Sequence, residues 1–223
     1  MAAQDDHELF DLCSRDGTPL GLQKARALVH RDGDWHRSLH LWVLLRGGDG
    51  AVEVLLQRRS AGKDTWPRAL DVAVAGHYRA GEVLEQALRE AEEEIGLAVR
   101  PEDVVRLGLR RRAHRTAGVE DNELQDIFVT RTERRLEELT PFEDEVEALI
   151  ALPVEEASKL LMGEATEVVG RELRSDRAPH RMPGPVIARA VDRIPADDGY
   201  YEKAMQSILD FLDGNVPRPW TIG

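Results

Sequence analysis

Between Ala75 and Leu97 the chain reads AGHYRAGEVLEQALREAEEEIGL, and no other stretch limits the fold as tightly. A loop carrying Gly76 and Gly81 opens it, and a helical period follows. At about 100° per residue, Leu84, Ala87, Leu88, Ala91 and Ile95 share one apolar stripe. Glu90, Glu93 and Glu94 fall together beside that stripe. Glu82, Arg89 and Glu93 line a neighbouring edge, where Glu82 and Arg89 can pair two turns apart. Glu85 and Glu92 point away and read as solvated charge. Gly96 stands where a helix C-cap glycine is expected.

Three carboxylates on one helix face repel each other unless a cation compensates. Mg²⁺ takes oxygen ligands, commonly one or two carboxylates together with substrate phosphates. The plain alternative is an acidic, solvent-facing helix in a chain with 42 acidic residues. The formal net charge of −12 argues against broad electrostatic binding to nucleic acid or to an anionic membrane surface. An anionic small molecule would therefore need local basic groups or metal ions.

The length of 223 residues suits one domain with extensions. No apolar run reaches the ~18 residues that suggest a membrane span. The opening MAAQDDHELF has no apolar segment of the secretory kind. Cys13 is alone, which rules out an internal disulfide and suits a reducing cytoplasm. Residues 1–7 read as disordered, and 8–21 as two short strands around Asp16-Gly17. Residues 27–59 read as a strand, a tight Asp-Gly turn and a hairpin across Gly47–Gly50. Residues 70–76 form a short buried strand, and 104–111 and 123–131 alternate as strands do. A helix spans 153–165, with proline in its first turn. Residues 170–197 read as loop with at most one short helix, and 199–214 as an amphipathic closing helix. The division is a tail and β extension at 1–28, a central domain at 29–165 and a C-terminal loop and helix at 166–223. The pattern predicts an α/β sandwich with a mixed sheet.

Gly76, Glu82, Arg89, Glu90, Ala91, Glu93, Glu94, Gly96 and Leu97 match, in order, the Nudix box. One departure stands out: six residues separate Glu82 from Arg89, where the pattern has seven. HRDGDWHRSLHLWV, LLQRRSAGKDTWPRALDVAVAGH and VEDNELQDIFVTR extend the match, so that 9–154 resembles the isopentenyl-diphosphate-isomerase-like branch of the Nudix superfamily. The resemblance implies a Nudix α/β/α sandwich with a mixed sheet, an N-terminal β extension and a C-terminal helical appendage. It implies hydrolysis of a diphosphate linkage in a small molecule, with Mg²⁺ as cofactor and Mn²⁺ as a substitute. Two other readings stay open, an isomerase and a Nudix domain kept as a ligand sensor or partner-binding module. A homodimer is also left open.

The resemblance also assigns residues. Glu90, Glu93 and Glu94, with the Gly76 carbonyl, match the metal ligands. Glu93 or Glu123 would take the proton of the attacking water, with Glu145 in reserve. Arg59 and Lys63, four apart in QRRSAGK, match residues that bind the diphosphate, and Arg79 in the box loop is a weaker candidate. Glu82 and Arg89 would form a structural salt bridge. His30, His36 and His77 match metal ligands of the true isomerases, but a structural role is the preferred reading. The isomerases have a catalytic cysteine at the position of Ala75 and a tryptophan late in the chain. Trp35, Trp42 and Trp66 read as core or loop packing, with Trp66-Pro67 as a wall of the substrate pocket the alternative.

Overall fold

The computed structural model describes residues 7–63, 65–116, 119–175 and 182–223. The first tail residues, and 176–181 of the stretch read as loop, lie outside them. Leu9–Cys13 (β1) and Pro19–Ala25 (β2) pair as a separate antiparallel hairpin. The short helix Arg26–Asp32 (α1) follows. Trp35–Arg46 (β3), Val52–Arg59 (β4), Leu70–Val72 (β5) and Val74–His77 (β6) lead into the helices Leu84–Ala87 (α2) and Arg89–Ile95 (α3). Then come Val104–Thr116 (β7), Val119–Arg131 (β8), Val146–Pro153 (β9), the helix Val154–Leu161 (α4), Glu167–Arg174 (β10), Gly184–Arg189 (β11), the helix Tyr200–Leu212 (α5) and Trp220–Ile222 (β12).

Among the described residues the main sheet has ten strands, in the order β11-β10-β9-β4-β3-β8-β7-β12, with β5 beside β4 and β6 beside β3. The β3–β8 and β12–β7 pairs are parallel, and the other pairs are antiparallel. Because β3 is covered on both faces, its run LHLWVLL is apolar almost throughout. Leu39, Leu41 and Val43 pack with Ala91 and Ile95 of α3. Trp42 and Leu44 pack with Leu160 of α4 and with Ala204 and Ile208 of α5. This is an α/β/α sandwich with a mixed sheet.

The face toward α4 and α5 changes character along the strands. On β3 the same-face residues run His36, Ser38, His40, Trp42, Leu44. On β8 they run Asp121, Glu123, Gln125, Ile127, Val129. The parallel register sets His36 beside Glu123, Ser38 beside Gln125 and Trp42 beside Val129. Apolar ends therefore meet apolar ends and form core, while the polar ends line a cavity. β3 pairs with β6 through Ser38–Leu41 and with β4 through Val43–Arg46, so two strands share its one edge. The box turn leaves β6 at the polar end.

Several expectations need correction. Residues 26–32 are helical, and the Asp32-Gly33 signal is a helix stop. Gly33 has φ 69°, a left-handed conformation, and donates its N–H to the Val29 carbonyl. The box helix breaks at Leu88, between Glu82 and Arg89, where the box pattern is one residue short. The stretch 170–197 contributes β11 and the end of β10, whose pairing with β9 extends the main sheet. The C-terminal appendage is thus strand as well as helix, and β12 was not foreseen.

Candidate active site

A cavity of about 670 Å³ opens at the polar end of β3 and β8. Its glutamate wall depends on a close approach. A Cβ on Gly76 would lie 2.5 Å from Glu90 Cδ, so any larger residue here would push the Glu90 carboxylate out of its place. Glu94 is buried, and its carboxylate accepts hydrogen bonds from Gln57 Nε2 at 3.2 Å and from the Ala75 N–H at 3.3 Å. Burial raises its pKa to about 8, against the opposing pull of the Lys63 charge. Burial also raises Glu90, and the Arg89 guanidinium in contact with it works the other way. Arg89 donates from Nε to Glu82 Oε1 at 3.0 Å and from Nη1 to Glu93 Oε2 at 3.4 Å. It therefore draws Glu82, Glu90 and Glu93 together. Glu93 differs from its neighbours in being half exposed, at 52%. Arg79, also a lining residue, meets Glu8 from the start of the β extension at 2.5 Å and Glu93 at 3.8 Å.

Arg59 and Lys63 both line the cavity. Arg59 is tied to Asp71 and to the Thr65 carbonyl. Lys63 contacts the Glu145 carboxylate, which also lines the cavity. Glu143 and Asp144 beside it are exposed.

A second cluster lies on the same cavity. His30, His36, His77 and Asp121 each offer an atom within 4.8 Å of the others. Among the described residues it is the one such set of three or more histidine, cysteine or acidic groups. His36 Nδ1 is 3.0 Å from the Asp34 carbonyl. A carbonyl only accepts, so Nδ1 carries the proton and the Nε2 lone pair is free. The Nε2 atoms of His30, His36 and His77 and Asp121 Oδ1 are buried without a hydrogen-bond partner. Burial, and then the charge of His77, lowers His30 to about 3 and His36 to about 4. Burial and the Glu123 charge raise Asp121 to about 7. Burial acts to raise Glu123 too, but the His77 imidazole, 3.5 Å away, outweighs it and holds that carboxyl well below its ordinary value. Phe10 of β1 stacks on His36 and His77, with ring centroids 5.1 and 4.8 Å apart, so the β extension closes this end. Orphaned nitrogens converging with a carboxylate suit a metal ion, and they argue against the purely structural role expected for these histidines.

Asp121 was missed in the sequence, although it stands two residues before Glu123 and so on the same face of its strand. His40 was missed too, and it shares a strand face with His36. No sequence signal links Phe10 to His36 and His77 or Tyr200 to His40, because hairpin and helix docking make those contacts.

The Nudix domain family model matches residues 36–171, more than half of the chain, and the chain belongs to the Nudix family. A relative from Clostridium acetobutylicum described as an uncharacterized Nudix hydrolase is 27% identical over 205 residues, covering 92% of this chain and 98% of that protein. The isopentenyl-diphosphate Delta-isomerase of Leifsonia xyli is 36% identical over 141 residues, covering 60% of this chain and 71% of the isomerase. Among solved structures, DR0079 from Deinococcus radiodurans matches with a TM-score of 0.50 at 20% identity, over 70% of this chain and 90% of that one, a likeness of fold. Among the described residues no helix is long and apolar enough to cross a membrane.

Proposed function

We propose that the protein hydrolyses a diphosphate linkage in a small molecule, with Mg²⁺ held by Glu90, Glu93, Glu94 and the Gly76 carbonyl. The observation that carries this reading is Glu94. It is a buried carboxyl at the cavity wall with no cationic side chain in hydrogen-bonding contact among the described residues, where Lys63 is engaged by Glu145. Such a group is stabilised in its charged form by a bound dication, and Glu90 stands one turn away. Bound there, Mg²⁺ would polarise phosphoryl oxygens and make a coordinated water more acidic. Mn²⁺ satisfies the same oxygen donors. Lys63, Arg59 and Arg79 supply positive charge for the diphosphate, with Lys63 and Arg79 drawn off Glu145 and Glu8 as substrate binds. Glu123 lines the cavity with an oxygen 3.5 Å from His77 Nε2 and is one candidate to accept the water's proton, and half-exposed Glu93 is the other.

The histidine cluster supports a second metal, of a kind that imidazole prefers, such as Zn²⁺ or iron. It also favours a second reading of the activity, isomerisation, because the resembling isomerases ligate a metal at these histidines. Ala75 weighs against that reading, since alanine can neither give nor take a proton.

The deciding experiment is a screen of diphosphate compounds (nucleoside, isoprenyl, thiamine and coenzyme A derivatives) with phosphate-release detection, with and without Mg²⁺. Metal-dependent release from at least one class is expected. No release from any class would remove the hydrolase reading.

A further inference from the structure

We propose that Tyr200 fixes the tautomer of His40, so that the imidazole donates its Nε2 proton to an oxygen of a diphosphate bound in the cavity. His40 is then a substrate contact and Tyr200 a positioning residue. Tyr200 lies beyond the segment that the family model matches. The inference rests on the cavity being the diphosphate site.

His40 is buried, at 6% exposure, and lines the cavity. It stands on β3 where the polar row gives way to Trp42 and the core. Its register partner on β6 is Ala75, whose N–H is bonded to Glu94. Directly opposed residues in an antiparallel pair have Cβ atoms about 5 Å apart. His40 and the glutamates line the same cavity, where metal and diphosphate would meet.

Tyr200 begins α5, and its hydroxyl lies 3.1 Å from His40 Nδ1. The ring is held from several sides. The Arg110 guanidinium sits 4.3 Å from the ring centroid, and Arg110 is itself fixed by Asp198 at 2.6 and 3.1 Å. Trp220 meets the ring edge-on at 6.4 Å. Tyr200 thus has little freedom to turn its hydroxyl elsewhere.

A neutral imidazole carries one N–H. Burial keeps His40 neutral, lowering it to about 4 although Asp71 and Glu123 act to raise it, and Arg110 and Arg112 add to the lowering. Burial likewise keeps the phenol protonated. Nδ1 is the acceptor within reach of the hydroxyl among the described residues. If Tyr200 donates to Nδ1, the ring proton must sit on Nε2. In the reverse tautomer Nδ1–H would donate to the phenol oxygen, and a buried O–H would be left without an acceptor, which is the costlier arrangement. The sequence of bonds therefore runs from the C-terminal helix, through one imidazole, to a donor beside the cavity.

The test uses the full chain labelled with ¹⁵N in the histidine rings. Long-range ¹H–¹⁵N spectra at neutral pH should show His40 as the Nε2–H tautomer. Tyr200→Phe keeps the ring and its packing, and should turn that signal into a mixture of tautomers. Imidodiphosphate with Mg²⁺ should shift the His40 Nε2 resonance. Wild-type His40 in the Nδ1–H form, an unchanged tautomer in Tyr200→Phe, or no shift with imidodiphosphate would each overturn the proposal. Glutamine at 40 sets an amide nitrogen near the Nε2 position, whereas asparagine sets one near Nδ1. His40→Asn should weaken imidodiphosphate binding about tenfold and His40→Gln by no more than about threefold. Equal weakening by the two would point to a structural role and sink the assignment. None of these readouts needs turnover. Absence of hydrolysis together with the expected tautomer and shift would remove the hydrolase reading alone. Hydrolysis with the wrong tautomer would remove this inference alone.

Discussion

The Arg59 guanidinium lies 3.3 Å from the Asp71 carboxylate, and both groups are nearly buried in the cavity wall. Two nitrogens of the same guanidinium donate to the Thr65 carbonyl at 3.2 and 3.0 Å. Arg59 is therefore part of the scaffold before any substrate arrives. The Lys63 ammonium, four residues further on, is held by the Glu145 carboxylate.

The two residues should consequently fail differently. Arg59→Ala leaves Asp71 buried without its cation, at a cost of roughly 3 kcal/mol in stability. Lys63→Ala should cost about 1 kcal/mol and mainly raise KM for a diphosphate substrate, with kcat little changed. Thermal melts and steady-state kinetics on both variants separate the effects. An unchanged KM in both would return the pair to plain structural charge.

Glu94 makes a prediction about pH. Its folded pKa, about 8, lies above the ordinary carboxyl value of 4.5. In the metal-free protein the folded state then holds more protons than the unfolded chain between those values. Stability from this group is complete below the ordinary value and is lost as pH rises toward 8. Glu94→Gln should flatten that loss, leave the variant as stable as the parent or more so at neutral pH, and lower kcat at least a hundredfold, an amount of about 3 kcal/mol. Near-parental turnover at saturating Mg²⁺ would refute the ligand assignment. A parallel stability slope in both proteins would refute the raised pKa.

The histidines work in the opposite sense. His30 and His36 have folded values of about 3 and 4, below the ordinary 6.5. Their contribution is present above 6.5 and is lost as pH falls through those depressed values. Metal bound at the cluster should deepen that acid sensitivity, because protons compete for Nε2. Protein purified without chelator should carry about one transition-metal ion per chain by elemental analysis. His36→Ala should remove it while leaving Mg²⁺ binding at the glutamates. Equal metal content in parent and variant would exclude the cluster as a metal site.

The box helix was legible because its apolar stripe, its glutamates and Gly96 all obey one helical period. The polar half of the cavity was legible in part. HRSLH and EDNE alternate as strand residues do, but which strands become neighbours is a long-range fact. Only the parallel register of β3 with β8 brings Asp121 and Glu123 to His36. Residues 26–32 misled because Asp-Gly serves both as a hairpin turn and as a helix stop. β10 and β11 were hidden by their arginines, prolines and glycines, which suit a sheet's end as well as a loop. Tyr200 looked like one more apolar residue of an amphipathic helix, and its hydroxyl gained meaning only when α5 was set over His40.

Finally, purified protein given isopentenyl diphosphate and Mg²⁺ in D₂O should form no deuterated dimethylallyl diphosphate. Allylic isomerisation needs an acid and a base at the alkene carbons and stabilisation of a developing carbocation. Ala75 stands where the resembling isomerases have their cysteine, and its cross-strand neighbour His40 is held neutral by burial. Cys13 hydrogen-bonds to the Trp35 carbonyl and is not among the cavity-lining residues. Trp220, the one tryptophan late in the chain, packs against Gly108 with its indole N–H 3.1 Å from Ser207 Oγ, so its face serves the core. Trp66 does line the cavity, but it packs at a tilt against His114 at 4.9 Å and has the Arg112 guanidinium 5.9 Å from its ring centroid. A fixed positive charge there disfavours a second one on the substrate. Proton NMR of the reaction decides the matter. Catalytic appearance of the deuterated allylic product would establish isomerisation in spite of Ala75, and Ala75→Cys is the gain-of-function control that shows whether this one side chain is what separates the two chemistries.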